Sequence, residues 1–178
     1  MKYHLETPRL ILRHWIPSDR EGFFELNSDT EVMRFFPKPL NREESDAVAD
    51  RIEASLTERG WGLWAIELKE NGEFIGFTGL NIPKIDTHFT PCVEIGWRLR
   101  KQFWNKGYAS EAAAASLEFG FDVLKLEEII AMTAVQNIPS RKVMEKIGMS
   151  YDPKGDFDHP MVPAGSHVVR HVLYRIKK

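Results

Sequence analysis

The stretch that decides the fold runs from residue 94 to residue 115 and is EIGWRLRKQFWNKGYASEAAAA. From Val93 to Leu99, apolar residues alternate with other residues, a pattern typical of a partly buried strand. From Gly107 onward the chain is rich in alanine, which strongly favours helix. A strand, a loop from Arg100 to Lys106 and a helix therefore follow one another directly.

Further elements are predicted on both sides of this segment. Capping-box spacing at Ser18 and Glu21, and again at Asn41 and Glu44, predicts two helix starts, and Gly60 should end the second helix. Alternation and β-branched content predict strands at residues 9–13, 63–68, 74–80, 129–134 and 168–176, with Asn71-Gly72 as a hairpin turn. A short helix should run from Pro139 to Gly148, and the stretch from Asp152 to Gly165 is interpreted as a connection containing Pro and Gly.

This order of elements predicts a mixed α/β (α+β) fold in a single domain spanning residues 1–178. We expect a central twisted mixed sheet of about seven strands with about four helices on its faces. The chain lacks both the Gly-x-Gly-x-x-Gly and the Gly-x-x-x-x-Gly-Lys-Ser/Thr patterns. A doubly wound dinucleotide fold and a P-loop are therefore not expected.

Composition narrows the class of protein further. A chain of 178 residues with 43% hydrophobic residues has enough apolar material for one domain core. The formal charge of -2 argues against a broad positive field for nucleic acid. A single cysteine, Cys92, cannot form an intramolecular disulfide, and no apolar run is long enough for a signal peptide or membrane span. We expect a soluble cytoplasmic protein that binds neither nucleic acid nor membrane.

The loop before the alanine-rich helix is a candidate anion site. Backbone N–H groups at a helix start lack intrahelical partners, and the helix dipole favours negative charge there. Gly107 and Ala109 keep the backbone accessible, Lys106 adds a cation, and Asn105 tolerates a left-handed conformation. A pyrophosphate would fit such a loop; the alternative is an ordinary loop with a helix-opening glycine.

Two motifs in this order resemble the GCN5-related N-acetyltransferase (GNAT) family, most closely its ribosomal-protein branch of RimJ and RimL type. The first joins residues 94–99 to FWNKGYASEA at 103–112, and the second is NIPSRKVMEKIGM at 137–149. The opening ETPRL at 6–10 is similar to that branch as well. The resemblance covers residues 5 to 176.

The resemblance implies acetyl-CoA as co-substrate and no metal. It places pantetheine along the strand that ends near Leu99, and pyrophosphate on backbone groups from Trp104 to Ser110. Many relatives have glycine where Asn105 stands, so a positive φ there would depend on asparagine's tolerance of it. The implied cofactor-binding residues are Trp97, Leu99, Trp104, Asn105, Lys106, Gly107, Tyr108, Ala109, Ser110 and Asn137.

Three residues are candidates for the chemistry. Glu94 lies on the strand expected to flank the acetyl group and could take the proton of an ammonium group; the alternative is a solvated or salt-bridged carboxylate. The resemblance places Ser140 near the sulfur of CoA, where its hydroxyl could serve the leaving thiolate. Asn137 could bridge the pantetheine and the strand ends. For Ser140 and Asn137 the alternative is helix capping.

The expected function is an N-acetyltransferase that moves acetyl from acetyl-CoA to a primary amine by direct attack in a ternary complex. The acceptor would be a protein N-terminal α-amine or a small amine, with Phe35, Phe36 or Trp61 as possible contacts. Alternatives are a catalytically silent acyl-CoA-binding module and a transferase that uses another acyl donor. We expect a monomer or homodimer, and the histidines at 159, 167 and 171 lack the accompanying ligands of a metal site.

Overall fold

The computed structural model describes residues 3–178. Its strands are β1 (Leu5–Glu6), β2 (Leu10–Arg13), β3 (Leu63–Leu68), β4 (Phe74–Asn81), β5 (Glu94–Leu99), β6 (Glu128–Ala134), β7 (Ser150–Asp158) and β8 (Arg170–Lys177). Its helices are α1 (Asp19–Ser28), α2 (Arg42–Arg59), α3 (Tyr108–Asp122) and α4 (Ile138–Lys146), with a 3-10 turn at Lys101–Phe103.

The strands form one sheet in the order β1-β2-β3-β4-β5-β6-β8-β7. The mixed α/β class is confirmed, but the sheet has eight strands where about seven were expected. Strand β1 has two residues, too few to show an alternating pattern. Strand β7 lies partly in the stretch interpreted as a connection; its register shifts between Asp152 and Phe157, which hides the alternation from the sequence.

One predicted helix cap is confirmed and the other is wrong. Asn41 accepts from the Glu44 N–H, the Glu44 carboxylate accepts from the Asn41 N–H, and Gly60 ends α2 with a φ of 78°. Ser18 makes no side-chain cap bond. Instead the neighbouring Asp19, only 2% exposed, accepts from the Ile16 N–H at 2.9 Å and is held by Arg13, so this carboxylate organises the start of α1.

The helices cover both faces of the sheet. Phe77 of β4 packs edge-on against Phe23 of α1. Leu80, three residues on and therefore on the other face, lies against α3, where a Cβ at Gly120 would come within 3.0 Å of its Cδ1. Glycine at 120 thus allows α3 to lie close to the sheet. All residues of β4 except Asn81 are buried.

The sheet opens between β5 and β6. These two strands are parallel and share one register position, Glu94 opposite Ile130. Beyond it, β5 and β6 do not pair with each other again, although β5 stays paired with β4 and β6 with β8, so a cleft opens between them towards their C-terminal ends. Helix α3 follows β5 and α4 follows β6, which brings both helix N-termini to the open end of the cleft.

Candidate active site

A run of unpaired backbone donors lies at the start of α3. The N–H groups of residues 105–110 have no hydrogen-bond acceptor within the described residues 3–178. Asn105, with a φ of 60°, and Gly107, with a φ of 82°, both take the left-handed conformation that turns successive N–H groups to one side. The loop therefore does depend on asparagine's tolerance of positive φ.

The donor run begins one residue later than predicted. The Trp104 N–H is already bonded to the Lys101 carbonyl at 3.1 Å, within the 3-10 turn, so it is not available to an anion. The Trp104 indole N–H donates to the Leu99 carbonyl at 2.9 Å. Trp104 thus fastens the loop to the end of β5, and Leu99 is 5% exposed beneath it. Trp97 is half-buried and packs against the core.

Arg9 ties the N-terminal segment to this loop. Its Nε donates to the Glu111 carboxylate at 2.7 Å, its Nη1 donates to the Lys106 carbonyl at 3.0 Å, and its guanidinium lies 4.5 Å from the centre of the Tyr108 ring. The Thr7 hydroxyl donates to Glu111 at 2.6 Å. No sequence pattern predicted these contacts of Arg9, which we call the Arg9 clamp. The one indication was ETPRL at 6–10, which contains Thr7 and Arg9 and resembles the same family.

A groove of about 460 Å³ runs beside the unpaired donors. Lys106 and Lys146 bring positive charge to it, and the charge of Glu111 is neutralised by Arg9 at 2.6 Å. A positively charged groove beside free N–H groups suits phosphate oxygens. Its lining residues are Arg9, Lys106, Gly107, Ser110, Glu111, Ala114, Lys146 and Ile147.

At the start of α4, Asn137 is the cap and Ser140 is not. The Asn137 side chain accepts from the Ser140 N–H and donates to the Ser140 hydroxyl oxygen at 3.1 Å and to the Thr133 hydroxyl oxygen at 2.8 Å. Both amide hydrogens of Asn137 are therefore engaged within the protein. The hydroxyl hydrogen of Ser140 has no acceptor among residues 3–178, so it remains available to a ligand.

Glu94 is a desolvated carboxyl with no partner. Its side chain makes no hydrogen bond or ion pair within the described part of the chain, which contradicts the alternative of a salt-bridged carboxylate, and it still reaches solvent in part. Burial raises the pKa of Glu94 to about 8. Such a group accepts a proton far more readily than an ordinary carboxylate does.

The loop between α1 and α2 reaches the same side of β5. Phe36, one of the predicted acceptor contacts, lies with its ring centre 3.9 Å from the Arg98 guanidinium and is itself 36% exposed. Phe35 stacks instead with Arg34, and Trp61 with Arg59. The structure thus brings Phe36, but neither of the other two aromatic residues, against a charged residue of β5.

The other reactive side chains are the histidines and Cys92, which lies two residues before Glu94. Residues 3–178 contain no group of three or more His, Cys, Asp or Glu side chains that could hold a metal ion. The ring centres of His159 and His171 are 4.8 Å apart. Burial raises the pKa of the Cys92 thiol to about 11, which keeps it protonated and unreactive near neutral pH.

The sequence model of a protein family, the acetyltransferase (GNAT) domain, matches residues 9–150 of this chain. The chain belongs to this family and is an acetyltransferase of the GNAT type. It is similar to the uncharacterized N-acetyltransferase YnaD of Bacillus subtilis, with 35% identity over 147 residues and 82% of each chain covered. It is also similar to an FsC-acetyl coenzyme A-N(2)-transacetylase of Aspergillus fumigatus, with 32% identity over 154 residues, 83% of this chain and 65% of that protein.

Solved structures agree with this assignment. A GNAT-family acetyltransferase from Bacillus anthracis has a TM-score of 0.81 and 30% identity, with 98% of both chains covered. A ribosomal-protein-S5-alanine acetyltransferase from Vibrio fischeri has a TM-score of 0.73 over 99% of this chain and 97% of that one. At 17% identity, the second likeness shows the fold alone. No helix within residues 3–178 has the length and apolar character needed to cross a membrane.

Proposed function

We propose that this chain transfers the acetyl group of acetyl-CoA to a primary amine by direct attack, with both substrates bound together. The observation that carries the proposal is the run of six unpaired N–H groups at residues 105–110 beside a positively charged groove. This donor set matches the diphosphate of a nucleotide tail. It stands at the open end of the cleft between β5 and β6, where an elongated thioester can enter.

Acetyl-CoA supplies the acyl group as an activated thioester. The chain's part is to hold it: the N–H groups from Asn105 to Ser110 bind the diphosphate, with Lys106 as the adjacent cation. The unpaired edge of β5 offers backbone groups to the pantetheine arm. The Trp104–Leu99 hydrogen bond and the Arg9 clamp keep the loop in shape before the cofactor arrives.

Glu94 serves as the base in this proposal. A primary amine must be neutral to attack, and an α-amine has a reference pKa of about 8 against about 10.4 for lysine. The pKa of Glu94, raised by burial to about 8, is close to that of an α-amine. The proton of an α-ammonium group can therefore move to the ionised form of Glu94 with little free-energy cost, which favours an α-amine acceptor.

In the same proposal, the Ser140 hydroxyl donates a hydrogen bond to the departing thiolate of CoA. Because Asn137 donates to the Ser140 oxygen, the serine hydrogen is directed elsewhere and is free to form a hydrogen bond to sulfur. Asn137 acts as a positioning residue, since its own hydrogens are used for Ser140 and Thr133. A protein N-terminus, as in the RimJ and RimL branch, is the acceptor that the motif resemblance favours, and small amines are the alternative.

The test is to incubate the purified chain with acetyl-CoA and a panel of peptides with free N-termini, amino acids and polyamines. We expect release of free CoA together with an acetylated amine identified by mass spectrometry. Tight acetyl-CoA binding without turnover on any amine would instead indicate a silent binding module. Faster turnover with propionyl-CoA or succinyl-CoA than with acetyl-CoA would assign another acyl donor.

A further inference from the structure

Arg98 of β5 carries a mostly buried charge that no carboxylate of residues 3–178 neutralises. Its Nη1 donates to the Asn27 side-chain oxygen at 2.6 Å, while its Nε is buried without any hydrogen-bond partner. No carboxylate forms an ion pair with it within residues 3–178. Burial lowers the pKa of Arg98 to about 10, so the guanidinium remains charged at neutral pH.

Two other partly buried arginines of this chain form ion pairs with carboxylates. Arg13, with a 17% exposed side chain, pairs with Asp19 and Glu67, and Arg100, with a 16% exposed side chain, pairs with Glu25 and Glu73. Buried charges in proteins are as a rule paired, because an unpaired one loses its hydration without compensation. Arg98 has no such carboxylate. Arg59 of α2, which stacks on Trp61, lacks one too, but Arg98 lies on β5, on the face that is open at Gly96. The missing partner of Arg98 is an anion.

The guanidinium is held firmly in place. Asn27 is fully buried, and its amide nitrogen donates to the Ser45 hydroxyl, which leaves its oxygen for Arg98. The rings of Phe36 and Phe77 lie 3.9 Å and 5.4 Å from the guanidinium carbon. These contacts restrict where an anion can approach, and they order the arginine before any ligand binds.

The space beside Arg98 leads to Glu94. Residues 94, 96 and 98 alternate along β5 and therefore face the same side of the sheet, and each retains partial exposure. A Cβ built at Gly96 would meet no atom within 4 Å, so the ground between the two charged residues is open. Strand spacing puts the Cα atoms of residues 94 and 98 about 13 Å apart.

We infer that Arg98 binds the carboxylate of the acceptor, so that the substrate is an amine that also carries a carboxylate. This inference rests on the proposed function, in which Glu94 binds the acceptor amine and takes its proton. Side chains on one face of a strand stand roughly perpendicular to the sheet, so we take the two charged groups to lie about as far apart as their Cα atoms. One hydrogen bond at each end then leaves about 7 Å between the amine and the carboxylate of the acceptor. A dipeptide or an ω-amino acid spans that distance, whereas glycine does not.

The test compares matched acceptors that differ only in charge. The pairs are 6-aminohexanoate with 6-aminohexanamide, glycylglycine with glycylglycinamide, and glycine with glycinamide. For the two longer pairs we expect kcat/KM to favour the carboxylate by about tenfold to a hundredfold, the usual range for a charge-assisted hydrogen bond. In Arg98→Leu this ratio should fall to about one, while Arg51→Leu, an exposed arginine of α2, should keep it.

Each outcome decides the inference. Equal use of carboxylates and amides, or a ratio unchanged in Arg98→Leu, would overturn it and leave the acetyltransferase proposal standing. Weaker acetyl-CoA binding by Arg98→Leu would assign Arg98 to the donor and also overturn it. If no amine is acetylated, the proposed function fails, and the inference is then tested by calorimetry with 6-acetamidohexanoate in the presence of CoA. Tighter binding of this compound to the natural chain than to Arg98→Leu supports the inference. Equal binding to the two proteins contradicts it. Arg98→Gln repeats each measurement if Arg98→Leu does not fold.

Discussion

Glu94 illustrates how surroundings alone change the acid strength of one carboxyl. Glu111 lies at the other extreme: burial acts to raise its pKa, but hydrogen bonds from Thr7 and Arg9 outweigh that effect and lower it. Glu94 has no such donor, and desolvation raises its pKa to about 8. The same residue type is thus an inert charge at one position and a potential base at the other.

For Glu94 we predict an acetylation rate that rises with pH. In the natural chain, kcat/KM for a small amine should increase through a midpoint near 8, since only the ionised form of Glu94 accepts a proton. Glu94→Gln should lower the rate by about 10²- to 10⁴-fold and leave a limb whose midpoint follows the pKa of the amine alone. Glu118→Gln, which changes an exposed carboxylate of α3, is the control. An unaltered profile in Glu94→Gln would exclude Glu94 as the base.

For Ser140 we predict an effect on turnover rather than on affinity. Ser140→Ala removes the free hydroxyl hydrogen but leaves the Asn137 cap, because the cap bond uses the Ser140 backbone N–H. Turnover should fall about tenfold or more, with the Kd for acetyl-CoA from calorimetry nearly unchanged. Equal turnover in the two proteins would rule out this role for Ser140.

At the level of elements, two helix starts that look alike in sequence are built differently. Asn41 and Glu44 form both bonds of a capping box, whereas Ser18 forms none, and its backbone is helical where that of Asn41 is extended. The loop before α3 is held from a distance, by Arg9 and Glu111, which are 102 residues apart. Local sequence patterns predict where such elements begin, but contacts with residues far away in the chain decide how they are stabilised.

The two helix starts form a matched pair for a stability measurement. Asn41→Ala should lower the free energy of unfolding by about 1 kcal/mol through loss of the cap. Ser18→Ala should change it by less than about 0.5 kcal/mol, because no cap bond is lost. The free energies of unfolding of both variants are measured by urea unfolding. Equal destabilisation by the two substitutions would contradict the conclusion that only Asn41 caps its helix.

The Arg9 clamp predicts a coupling between the N-terminal segment and cofactor affinity. Glu111→Gln weakens the ion pair that holds Arg9 against the Lys106 carbonyl, so the loop should lose its order. We expect the Kd for acetyl-CoA to rise about tenfold, the size of one charge-assisted interaction. Arg170→Gln, which breaks an exposed pair with Asp158, should leave the Kd unchanged. A normal Kd in Glu111→Gln would show that the clamp does not order the loop.

At the scale of the whole molecule, buried titrating groups set how stability depends on pH. The folded state keeps a proton on Glu94 between the ordinary pKa of 4.5 and about 8, so Glu94 stabilises the fold at low pH and this contribution is lost as pH rises through that window. Burial lowers the pKa values of His159 and His171 below 6.5, so they disfavour the fold as pH falls below that value.

We therefore predict a maximum of the unfolding free energy near pH 6.5, the ordinary pKa of histidine. Above it stability should decline towards pH 8, the region in which Glu94 ionises. Urea titrations from about pH 5 to 9 measure the curve. Glu94→Gln should flatten its alkaline side and make the rise below pH 6.5 steeper, because the Glu94 contribution falls throughout the window from 4.5 to about 8. An identical decline in the variant would contradict the raised pKa of Glu94.

The sequence by itself determined the features that depend on near neighbours: the Asn41 cap, the Asn71-Gly72 hairpin, and the loop with left-handed residues before the alanine-rich helix. Each follows from φ preferences and hydrogen bonds between residues a few positions apart. Only the tertiary structure decided the opening between β5 and β6, the desolvation of Glu94, and the contact of Arg98 with Asn27, 71 residues away. Burial and charge pairing depend on which distant segments come together, and no local pattern encodes that.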